Sequence, residues 1–152
     1  MKRLFIAALL ILTTSQFSLA AELIRLSPET WEEFAPQGKE VDCIYGDLVL
    51  RNDRLIAVIA RSQAGRHANM SVKNVGGAVI DLTRRERPND QLSAFYPCGP
   101  RYTFTQAGSM GMSVDDRPAQ FSENVKLSGK GISIELDADI DPKAKEPLPR
   151  VR

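Results

Sequence analysis

Hydrophobic and polar positions divide this chain into stretches of different period. Residues 4–12 are apolar without interruption, residues 41–136 alternate short apolar runs with polar turns, and residues 141–152 carry three prolines among charges of both signs. Between the first two lies Leu26-Ser27-Pro28-Glu29-Thr30-Trp31-Glu32-Glu33-Phe34, which reads as a short helix. Ser27 suits the N-cap, Pro28 the first helical position, and the glutamates the positive end of the helix dipole. Leu26 and Trp31 occupy the two positions of a hydrophobic staple. Pro36 and Gly38 end the helix, and Trp31 and Phe34, three apart, turn toward a core.

From residue 41 the period becomes that of strands. Residues 44–50 and 55–60 flank Asn52-Asp53, which tolerate the positive backbone angles of a tight hairpin. The second of these strands is apolar at every position, which predicts burial on both faces in the middle of a sheet. Residues 75–82 form a strand entered through Gly76-Gly77, a pair that marks a bulge or a close backbone approach. A nucleotide-binding glycine loop needs a following helix, so that motif is excluded. Residues 61–74 and 83–91 are polar loops, the second carrying the charged turn Arg84-Arg85-Glu86-Arg87. Residues 92–96 and 101–106 are strands around Pro97-Cys98-Gly99-Pro100, and residues 107–117 read as a loop. Val125 and Leu127, then Ile132, Ile134 and Leu136, alternate about Ser128-Gly129-Lys130-Gly131 as a last hairpin. The expected fold is all-β, an antiparallel β-sandwich of about seven short strands with one short N-terminal helix, over residues 21–140. Residues 141–152 form an extended charged and proline-rich tail.

The apolar run at 4–12 follows Lys2-Arg3 and precedes Thr13-Thr14-Ser15-Gln16. As a helix it would cover roughly half of the ~30 Å hydrocarbon core, too little to span a membrane. Ser18-Leu19-Ala20 puts small residues where signal peptidase requires them, so residues 1–20 read as a signal peptide cleaved after Ala20. Ala21 in place of cysteine excludes a lipoprotein, and a lone Arg3 excludes twin-arginine export. The expected location is secreted or periplasmic, with no stable membrane insertion after cleavage. Cleavage removes two of the 20 Lys and Arg and none of the 19 Asp and Glu, leaving a slightly acidic chain. That balance offers no footprint for nucleic acid.

Cys43 and Cys98 are the two cysteines. In an oxidising compartment they are either a disulfide or two separate thiols, Cys43 in a buried strand and Cys98 on an exposed turn. His67 is the single histidine, and nothing around it or the cysteines has the form of a nucleophile signature, so no catalytic residue is assigned. Asp137, Asp139 and Asp141 alternate, so a continuing strand would present all three carboxylates on one face, where they could gather a cation or blunt a sheet edge. An EF-hand does not fit, because Pro142 and Leu148 stand where glycine and glutamate are required. Asp115-Asp116 is a further acidic pair. The densest set of polar donors, Arg66, His67, Asn69, Lys73 and Asn74, lies in the loop beside the paired glycines and is the candidate ligand site. No cofactor is expected.

The segments 46–59 and 74–82 resemble a pattern in the N-terminal β-rich region of large exported bacterial proteins, some with a metal-dependent hydrolase domain further along. The resemblance covers residues 41–105 and implies an accessory β-sandwich; no catalytic residue carries over. The functional expectation is an exported, non-catalytic module that binds a glycan or a protein partner at the cell envelope. The alternatives are a small exported hydrolase and the N-terminal part of a larger exported enzyme.

Overall fold

Strand-forming runs of Leu, Ile and Val gain most when both neighbours across the ladder are apolar too, and this chain places three such runs side by side. The computed structural model describes residues 20–38, 41–89, 92–99, 102, 104, 110–120, 122, 126–139 and 150–152. In chain order the elements are β1 (Ala21–Arg25), α1 (Trp31–Phe34), β2 (Leu48–Arg51), β3 (Leu55–Ile59), β4 (Val79–Arg84), β5 (Met110–Val114), β6 (Arg117–Pro118), β7 (Leu127–Gly129), β8 (Ile132–Asp137) and β9 (Arg150–Val151). They form two antiparallel sheets, ordered β4-β3-β2-β1-β7 and β6-β5-β8-β9. The all-β sandwich is thus the observed architecture. The signal-peptide reading falls on residues outside the described ones, apart from Ala20.

Ile24, Val49, Val58 and Asp81 face one another across four strands of the first sheet, and all four are buried. Ile56 and Ile80 from the same sheet, with Leu26, Phe34, Cys43, Ala60, Val75 and Ala78 from α1 and the flanking loops, complete this core. Each large apolar side chain so buried contributes about 1.5–3 kcal/mol. On the opposite face the row is Leu23, Leu50, Ala57 and Leu82. Exposure along it rises from 0% at Leu23 to 49% at Leu82, because the second sheet meets the first at β1 and β7. The expectation that β3 is buried on both faces is therefore corrected: β3 lies mid-sheet, but Leu55 is exposed and Ala57 and Ile59 are half-buried.

The β2–β3 hairpin forms, but its turn uses no positive φ at Asn52 or Asp53. Instead the Asn52 carboxamide Oδ1 accepts the N–H groups of Arg54 and Leu55 at 2.8 and 2.9 Å, a side chain standing in for a backbone turn. The positive pair is Asp115-Asp116, φ 49° and 61°, which makes a tight hairpin of β5 and β6 where a loop was expected. Ser128–Gly131 is not a hairpin turn: β7 joins the first sheet and β8 the second, so this segment crosses between layers. Of the two readings of Gly76-Gly77, the glycines show a close approach, since a methyl at Gly76 would stand 3.1 Å from the Phe104 carbonyl oxygen and one at Gly77 2.7 Å from Phe104 Cβ; the β3–β4 register shift lies further on and leaves Ile80 unpaired. Residues 92–96 supply a single bridge, Phe95 to Val79, and residues 101–106 lie mostly outside the described ones. The far end of the predicted tail forms β9.

The helix is shorter than predicted, at four residues. The Ser27 hydroxyl donates to Glu29 instead of capping the helix, and the Thr30 hydroxyl ties the turn back to the Arg25 carbonyl at 3.0 Å. Arg51 fastens α1 to the sheet. Its guanidinium lies 3.8 Å from the centre of the Phe34 ring, donates to Glu22 at 2.8 Å and donates to the Glu33 carbonyl at 3.0 Å. Lys126 pairs with the same Glu22, and that contact, with Arg51, holds the Glu22 carboxyl below its ordinary range.

Candidate functional site

A groove of about 730 Å³ opens at one end of the first sheet. Its walls are the exit of β1, the loop before β2, the exit of β3 and Met110 at the start of β5. Two reciprocal backbone hydrogen bonds build the first two walls: Leu26 N–H donates to the Asp47 carbonyl and Gly46 N–H to the Leu26 carbonyl, each at 2.8 Å. Tyr45 is carried outward by this loop and is 53% exposed. Its ring meets Trp31 edge to face, centroids 5.2 Å apart and planes at 85°, a favourable quadrupole geometry that fixes the ring's orientation.

Gly46, φ +95°, lets Arg61 lie across the loop backbone. A methyl group at position 46 would stand 3.0 Å from Arg61 Cδ and 3.1 Å from its Nη1. Ser27, Ser62 and Gln63 add hydroxyl and amide groups to the groove, and Arg25 and Glu29 add charge.

The wall loops converge on Asp47, which is 0% exposed. Its Oδ1 accepts Arg61 N–H at 2.9 Å and Arg66 Nε at 3.3 Å. Its Oδ2 accepts Ile44 N–H at 2.9 Å and Arg66 Nη2 at 2.6 Å. The arginine also donates to the carbonyls of His67 and Asp42. Arg66 is therefore a buried strut of the fold, which corrects its reading as a ligand donor. His67 and Asn69 bond the backbone of their own loop, and the Lys73 backbone is tied to Tyr96. His67 Nδ1 accepts the Asn74 N–H at 3.0 Å, Asn69 Oδ1 accepts the N–H groups of Ser71 and Val72, and the Lys73 carbonyl accepts the Tyr96 hydroxyl at 2.7 Å. Asn74 holds φ 53°. None of the five lines the groove. The sequence pattern places Tyr45 in a strand and Arg61 at the start of a loop, and marks neither as a groove residue.

Asp137 is held by Arg150 at 2.6 Å, which lowers its pKa, and Asp141 lies outside the described residues. No cluster of three metal-ligating side chains occurs among the described residues. Asp115 and Asp116 serve the β5–β6 turn, with Asp115 Oδ1 accepting the Gly131 N–H at 2.9 Å.

Cys43 and Cys98 are both free thiols, the first buried in the core beside Asp47 and the second on an exposed turn, so no disulfide joins them. Burial, with the carboxylates of Asp47 and Asp81, pushes the Cys43 thiol up to about 12, where thiolate is scarce at neutral pH. An aromatic disulfide reagent at pH 8 is accordingly expected to titrate Cys98 in the native protein and Cys43 only after denaturant is added. Rapid reaction of both thiols in the native state would contradict the buried placement of Cys43.

No protein-family model, no curated protein and no solved structure matches this chain.

Proposed function

We propose that this protein is an exported, non-catalytic β-sandwich module of the cell envelope, and that it binds a glycan in the Tyr45 groove. The observation that carries this reading is the exposed Tyr45 ring, held edge-on by Trp31 beside hydroxyl and amide groups. A sugar needs that combination: an apolar platform for its C–H face and hydrogen-bonding groups for its rim. Binding is favoured over catalysis by the state of the reactive side chains. His67, the single histidine, spends Nδ1 on a backbone amide, and Cys43 is buried and protonated. Export is supported by the leader-like pattern of residues 1–20. Cleavage after Ala20 would leave β1 whole, since the strand starts at Ala21.

Trp31 is the chain's single tryptophan and touches the proposed platform, so its emission reports on occupancy. A glycan array identifies binders, and titration of those binders should shift Trp31 emission. Tyr45→Ala is expected to weaken them at least tenfold, about 1.4 kcal/mol, with little change in melting temperature. An array without binders, or affinity unmoved in Tyr45→Ala, would sink the reading.

A further inference from the structure

Resting on the glycan reading above, we infer that the sugar taken by this groove is acidic and that Arg61 binds its carboxylate, which makes the ligand a uronic-acid saccharide. Two guanidinium side chains, Arg25 and Arg61, line the groove against one carboxylate, Glu29. Glu29 already accepts the Ser27 hydroxyl at 2.7 Å.

Arg61 is placed differently. Its backbone N–H is anchored on Asp47, but the other contacts of that carboxylate go to Ile44 and Arg66. No carboxylate among the described residues pairs with the Arg61 guanidinium. Its Nε is buried and has no hydrogen-bond partner among the described residues. Nε itself is closed off, but Arg61 is half-buried and lines the groove, so the rest of the guanidinium is the part that an arriving acceptor meets. The planar guanidinium fork matches the two oxygens of a carboxylate, a match that an ammonium group lacks.

The position of this fork ties it to the sugar platform. Arg61 lies across Gly46, the residue next to Tyr45, so the ring that would stack a pyranose and the fork that would bind its carboxylate meet over one short loop. A uronic acid presents those two features from one ring.

The experiment titrates the full chain with a panel of uronate oligosaccharides, their methyl esters and inorganic phosphate, following Trp31 emission at fixed ionic strength. The acids are expected to bind at least tenfold tighter than the esters. Arg61→Gln should erase that preference at an unchanged melting temperature, and Arg61→Lys should restore only part of it. Salt dependence confined to the acids supplies the same information from the unmodified protein, should Arg61→Gln fail to fold.

Equal affinity for acid and ester, with Tyr45→Ala still weakening both, overturns the acidic assignment and leaves the glycan reading standing. Phosphate binding as tightly as the acids overturns the uronate and marks a plain anion site. Failure of every saccharide, neutral ones included, overturns both readings.

Discussion

Asp47→Ala is expected to destabilise the protein by about 3–5 kcal/mol, the usual cost of removing one partner of a buried ion pair. The magnitude follows from how much converges on this carboxylate. Ile44 and Arg61 lose the acceptor of their backbone N–H groups. Arg66, whose side chain is only 3% exposed, keeps its guanidinium charge away from water without a counter-ion. Urea unfolding checks the value as a lower midpoint at unchanged slope. A double-mutant cycle separates charge from packing. Asp47→Leu combined with Arg66→Met removes both buried charges and should recover part of the loss, whereas either change alone should not. A loss below about 1 kcal/mol for Asp47→Ala would mean that the loop around Tyr45 is held by something other than this pair.

Gly77→Ala is expected to cost about 2–5 kcal/mol, from two sources that can be separated. The first is backbone strain, since φ at Gly77 is +73°, where a side chain is disfavoured. The second is collision: the new methyl would stand 2.7 Å from Phe104 Cβ and 3.1 Å from Leu136 Cδ1. Both belong to the core of the second sheet, so Gly77 marks where the first-sheet loops touch that core. Gly65→Ala is the matched control. It has φ +70° with nothing within 4 Å, so it carries strain without collision and should cost about 1 kcal/mol. Equal losses at the two positions would show that the contact with Phe104 and Leu136 contributes nothing to stability.

Local signals were read well where the structure answers them locally. The β2–β3 hairpin and the turn at Gly76-Gly77 depend on neighbours close in sequence, and both are legible in the chain. The β5–β6 hairpin is hidden by composition: a stretch rich in Gly, Ser and Met reads as a loop, although Met110, Met112 and Val114 alternate with Gly111 and Ser113 and Asp115-Asp116 carries a turn signal. The interior strand β1 is hidden by its length. Leu23-Ile24 is too short a run to declare a period, and its burial comes from β2 on one side and β7 on the other.

The candidate site shows the same division more sharply. Arg66 looked like a ligand donor because a loop arginine is usually solvated; its partner Asp47 is 19 residues away in sequence. Tyr45 looked like one strand residue among several, and nothing near it in the chain announces an exposed ring set against Trp31. A charged or aromatic side chain takes its role from what meets it, and in both cases the meeting is long-range.

By itself, the sequence determined that this is an all-β chain with turns at Asn52 and Gly76-Gly77. Side-chain period and backbone tolerance are properties of a few consecutive residues, and they act before any distant contact forms. Only the tertiary structure decided which sheet each strand joins, as β7 and β8 show by parting across Ser128–Gly131. It also decided which polar groups are spent on the fold and which line the groove. Both outcomes depend on burial and on pairing between residues far apart in the chain, and no local pattern encodes either.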